Sequence, residues 1–210
     1  MTGLRWCLPV MELPAGYWLL HQADRFIREH AGTPLRPRQA AGLLWSCAAF
    51  LALYDLLAPD TGPGLLRVAL LTGFLLPLCA LDLACYWLPL TYCLSLATGG
   101  WLLTLLPGSA LSPGTALTAA ALMLATLAGI GWGLNRFYRW RIADPQAVCL
   151  GYGDVVLMSA LCLWLPLPGV ALCGMAAWVV LLVHSAFLPA KPYLPLAPYL
   201  MLCTGVYLLL

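Results

Sequence analysis

Charge is what this chain has least of: 9% of its 210 residues are Asp, Glu, Lys or Arg, against 63% hydrophobic. A soluble domain carries about a quarter charged residues, so that class is excluded and a polytopic membrane protein is expected. The net charge is only +2 and the ten Lys and Arg side chains are not gathered into one patch, so no nucleic-acid partner is expected. Metal-ligand spacing is missing as well. The nine cysteines contain no C-x-x-C pair and most lie inside apolar runs, where a thiol serves as a small buried hydrophobe. A cleavable signal peptide is not expected, because Pro9, Glu12 and Pro14 interrupt what would be its apolar core.

What is present is a series of apolar segments long enough to cross the hydrocarbon layer as helices, which takes about 17–25 residues each. Residues 40–58, 66–82, 88–106, 115–134, 168–188 and 193–210 fit that description. A shorter segment, 154–165, rises only about 18 Å before Pro166 and Pro168 stop it, and residues 6–23 offer a further span. The expected fold is therefore an all-α polytopic membrane protein, a bundle of about 6–8 transmembrane helices. It divides into an N-terminal segment, 1–39, with a first span plus a short cytoplasmic loop, and a main membrane domain, 40–210.

The cations give sidedness. Arg5, Arg25, Arg28, Arg36 and Arg38 precede residue 40, Arg136, Arg139 and Arg141 share one later loop, and Lys191 lies in another. If the seven segments from residue 40 onward alternate, only Arg67 faces outward, as the positive-inside rule requires, and a further span at 6–23 would move Arg5 outside as well. Arg136, Arg139 and Arg141 then orient the chain and contact anionic membrane lipid, the alternative being that they help hold a substrate near Asp154. The scattered His21, His30 and His184 have no metal-ligand spacing.

Sidedness sorts the acids. Asp82 ends an outside-to-inside segment and Asp154, behind Gly151 and Gly153 in "LGYGDVVLMSALCLW", begins an inside-to-outside one. Both are expected at the cytoplasmic edge, whereas Asp55 and Asp60 fall at the outer face. Two adjacent carboxylates share a proton and titrate as a unit, one activating water and the other polarising a carbonyl. Helix dipoles assign Asp154, at a helix start, as the base and Asp82, at a helix end, as the acid. Glycines at 151 and 153 let an extended peptide approach closely.

These residues resemble the type IV prepilin peptidases, membrane aspartic proteases of the G-x-G-D class, from about residue 40 onward. "ALDLACYWLPLT" is similar to the family's first aspartate with its following Leu-Pro, here Leu88 and Pro89. The "LGYGDVVLMSALCLW" segment resembles the second aspartate with its trailing tryptophan, Trp164, and "LPLAPYL" resembles a closing motif through Pro195, Pro198 and Leu200. Leu90, Val156, Leu196 and Ala197 depart from the usual residues. Near the N-terminus "GYWLLHQADRF" keeps Gly16, Leu19 and Arg25 of a family pattern, with Leu20 at its asparagine position.

The resemblance implies cleavage of the leader peptide of a type IV prepilin or pseudopilin at the cytoplasmic face of a bacterial inner membrane. Its catalytic pair would be Asp82 and Asp154, with Gly151, Gly153, Leu88 and Pro89 shaping the substrate side. Peptide hydrolysis of this kind uses no metal or other cofactor. Family members that also methylate the new terminus with S-adenosylmethionine often carry a zinc-binding loop, for which "IREHAGTPLRPRQ" has no room. Methyl transfer and oligomeric state are left open. The rivals are a proton-coupled membrane transporter, a presenilin-like protease using Tyr54-Asp55, and a structural assembly partner.

Overall fold

A computed structural model describes residues 7–30, 33–57, 63–142, 148, 150–187 and 194–210, without the side chains of 7–11 and 63. Arg5, Asp60, Cys149 and Lys191 lie outside the described residues. All regular structure among those residues is α-helical, in the order α1 (Cys7–Glu29), α2 (Pro37–Leu57), α3 (Pro63–Cys85), α4 (Leu90–Thr104), α5 (Pro113–Ile142), α6 (Tyr152–Leu161), α7 (Leu167–Phe187) and α8 (Ala197–Leu209). The chain is an all-α polytopic membrane protein. Four helices are long and apolar enough to cross a bilayer: α2, α3 from Gly64, α5 and α7. The expected segments at 88–106, 154–165 and 193–210 are helical but shorter, with 15, 10 and 13 residues, or about 22, 15 and 20 Å of rise.

The helices sort into two units, Met1–Trp87 with Cys173–Leu210, and Leu88–Leu172. The expected boundary at residue 39 falls inside the first.

In the first unit α1 lies along α3 in parallel. Glu12 meets Thr72, Gly16 lies against Leu76, and the Phe26 ring stands 5.9 Å from that of Trp87. The offset stays near 60 residues, as two parallel helices of equal rise require. The last turns of α2 pack on the first turns of α3 through Leu51, Tyr54, Leu65 and Val68, so α2 runs the other way. Gly16 sits where a Cβ would come within 2.7 Å of Leu44, which lets α1 and α2 approach closely. Cys47, Cys79, Cys93, Cys162 and Cys173 are buried.

α3 closes on a strained residue. Tyr86 has φ +53° and its amide donates to the Asp82 carbonyl at 3.0 Å, the left-handed helix ending that glycine adopts without a Cβ penalty. Tyr86→Gly is expected to raise stability by about 1 kcal/mol, read as a higher unfolding temperature in detergent; a lower one would show that the half-exposed ring contributes more than the strain costs.

In the second unit α6 packs against both α4 and α5. The chain leaves α6 through a tight turn in which Trp164 N–H donates to Leu161 O at 2.9 Å. The indole then reaches α4, where Nε1 donates to Leu96 O at 2.8 Å. Gly100 makes the space for it.

α5 runs eight residues beyond the expected end at 134. No helix breaker intervenes before Pro145, and Arg136, Phe137, Tyr138 and Arg139 are compatible with helix. Arg136, Arg139 and Arg141 therefore stand on helix rather than in a loop, a correction to the reading from apolarity, which marks where the membrane stops and not where the helix does.

Candidate functional site

Asp82 belongs to the first unit and Asp154 to the second, so each is built up within its own.

Asp82 lies in the last turn of α3 and is only 5% exposed. Its Oδ2 accepts the backbone N–H of Ala197 at 2.7 Å. Ala197 is the first residue of α8, following Leu196 as N-cap and preceding Pro198. The Asp82 carboxylate thus satisfies one of the orphan amides of the α8 N-terminus. The dipole argument for Asp82 as the acid weighed only the helix that carries it. The end of α3 sits at its back, but the positive end of α8 faces its oxygens, so the dipoles no longer separate it from Asp154. Ala197 was missed as a partner. The available signal was Pro198, since proline near a helix start marks where free amides lie.

Asp154 is the third residue of α6, after Gly151 as N-cap with φ −71° and ψ 145°. Its carboxyl lies over the N-cap: a Cβ on Gly151 would be 3.0 Å from Oδ2. Gly153 permits a closer approach still. A Cβ there would stand 2.7 Å from Leu88 Cβ and 3.1 Å from Leu88 O. The Leu-Pro pair and the glycine pair, remote in sequence, are thereby in contact. Pro89 caps α4 in extended conformation, and its carbonyl accepts from Tyr92 N–H at 3.1 Å. Of the expected site residues, Leu88, Pro89, Gly151, Gly153 and Asp154 gather in the second unit.

The approach to Asp154 is pinned from α5. Asn135 Nδ2 donates to Leu150 O and Asn135 Oδ1 accepts Leu150 N–H, both at 3.0 Å. The Leu150 side chain rests on Gly131, where a Cβ would come within 3.2 Å. One amide side chain thus replaces both backbone bonds that a neighbouring strand would offer. Asn135→Leu is expected to cost about 1–3 kcal/mol, because two part-buried backbone groups lose their partners. Hydrogen exchange at Leu150 N–H measures it directly; unchanged protection would mean the clamp does not hold the segment.

The other acids are elsewhere. Asp55 lies in the last turn of α2, level with the start of α3, about 20–25 Å along that helix from Asp82. Glu12 accepts the Thr72 hydroxyl at 2.9 Å, near the middle of α3.

No family profile, curated protein or solved structure matches the chain.

Proposed function

We propose that this chain is a membrane aspartic endopeptidase with Asp82 and Asp154 as its hydrolytic pair. It cleaves the leader of type IV prepilins or pseudopilins at the cytoplasmic face of a bacterial inner membrane. The observation that carries the reading is that each acid lies at the cation-bearing end of its own unit. Arg25 and Arg28 flank Phe26, which meets Trp87 just past the end of α3. Arg136 and Arg139 flank the α5 turns that hold Leu150, four residues before Asp154. By the positive-inside rule both ends face the cytoplasm.

Connectivity supports the pairing. Six positions separate Asp82 from Leu88, at most about 20 Å of extended chain, and Leu88 rests on Gly153. With one proton between them, one carboxylate takes a proton from water as its oxygen adds to the scissile carbonyl carbon, while the protonated partner hydrogen-bonds the carbonyl oxygen. Collapse of that intermediate breaks the C–N bond and returns a proton to the leaving amine. A peptide bond at the membrane edge is open to this attack, since helix hydrogen bonding no longer shields it.

The test is incubation of the purified full-length protein with a candidate prepilin, scoring leader loss by mass. Asp82→Asn and Asp154→Asn should each lower cleavage by about 10²–10⁴-fold while the protein stays folded. Undiminished cleavage by either variant ends the reading.

One observation favours a transporter instead. Glu12 Oε2 is buried with no hydrogen-bond partner among the described residues, at mid-length of α3, where an acid marks an ion path. Proton flux in proteoliposomes that Glu12→Gln abolishes, with no leader cleavage by the parent protein, would select it. The Tyr54-Asp55 alternative places its acid at the other end of the first unit from Asp82.

A further inference from the structure

We propose that the cavity beside the C-terminal turns of α5 binds the phosphate-bearing headgroup of an anionic phospholipid. The cavity holds about 1040 Å³ and lies within the second unit. Its α5 wall is built from Trp132, Arg136, Arg139 and Trp140, with Tyr152 opposite. Spacings of three and four residues put the two tryptophans and two arginines on one helical face. No acid lines the cavity among the described residues.

Depth identifies the occupant. α5 has 30 residues, about 45 Å of rise, against roughly 30 Å of hydrocarbon. Its apolar run ends at Leu134, so Arg136 and Arg139 emerge at headgroup level. Trp132, Phe137 and Trp140 are 71%, 60% and 76% exposed, as side chains of an interfacial aromatic belt are. Only 11% of the most apolar window of α5 is buried, so acyl chains can lie along Leu117 and Leu124, exposed on the cavity's side of the helix.

The donor set suits a phosphodiester. The Arg136 guanidinium fork suits paired N–H donation to phosphate oxygens, and Arg139 adds its positive charge beside it. Asn135 also lines the cavity, with its Oδ1 and one Nδ2 N–H engaged by Leu150. A basic leader peptide would be repelled here. The site therefore stands independently of the peptidase reading.

The experiment is lipid retention by native mass spectrometry of the full chain, with phosphatidylglycerol and phosphatidylcholine offered in equal amounts and glycerol 3-phosphate as a soluble competitor. The expected result is about a tenfold preference for phosphatidylglycerol. Arg136→Gln and Arg139→Gln should each reduce it, whereas Arg141→Gln, on the same helix but outside the cavity lining, should leave it unchanged. Equal retention of the two lipids by the unaltered protein overturns the inference and needs no variant to fold. Equal loss in all three variants reduces the effect to general surface charge, and displacement by glycerol 3-phosphate at comparable concentration assigns the cavity to a soluble phosphate ester.

Discussion

Trp164→Ala is expected to lower stability by about 3–5 kcal/mol, the range for removing a fully buried large aromatic side chain. The indole is 1% exposed and does two things at once. It fills the space over Gly100, where an added Cβ would stand 2.6 Å from Cδ1 and Nε1, and it donates to Leu96 O at 2.8 Å. Its removal leaves both a void between α4 and the turn after α6 and an acceptor without its buried donor. Gly100→Ala approaches the same contact from the other side. The added methyl meets a rigid ring rather than a flexible tip, so overpacking should cost about 1–3 kcal/mol. Unfolding in detergent followed by near-ultraviolet circular dichroism reads both, and a loss below about 1 kcal/mol for Trp164→Ala would mean that the ring is not the wedge between these elements.

Gly153→Ala and Gly151→Ala should part company. At Gly153 the obstacle is Leu88, with its Cβ 2.7 Å and its carbonyl oxygen 3.1 Å from the new atom. Backbone cannot swing aside as a side-chain tip can, so the Leu88-Pro89 turn must separate from α6. A cost of about 1–3 kcal/mol is expected, with leader cleavage, on the proposed function, falling by about 10²-fold as the acid is displaced by an ångström or so. At Gly151 the obstacle is the Asp154 carboxylate itself, 3.0 Å from the new atom, and it can rotate. Stability should stay within about 0.5 kcal/mol while cleavage drops. Paired melting and cleavage measurements separate the cases. If Gly151→Ala keeps full activity, the carboxylate position over the N-cap is not the working one.

The order of the helices was legible because apolar runs mark them, and Leu88, Pro89, Gly151, Gly153 and Asp154 were singled out together by the Leu-Pro and G-x-G-D strings. Why Leu88 matters was not. That rests on a backbone contact with Gly153 across some 65 residues of sequence, and no periodicity encodes it. Asn135 was passed over because a single amide at the end of an apolar run looks like an interface residue; its role depends on Leu150 being opposite. The dipole argument at Asp82 was incomplete for a similar reason. It considered the helix that carries the acid and not α8, whose first amide the acid accepts. Apolarity also set the end of α5 eight residues early, since transfer energy and helix propensity stop at different places.

The bond from Ala197 to Asp82 spans 115 positions, and this orders events on the ribosome. At about 5–20 residues per second, α3 waits roughly 6–23 s before its terminal acid meets the amide that fixes its orientation. Until then that carboxylate remains an unanchored group at the edge of a nascent helix. On the proposed function, hydrolytic competence is thus withheld from the growing polypeptide until α8 has docked.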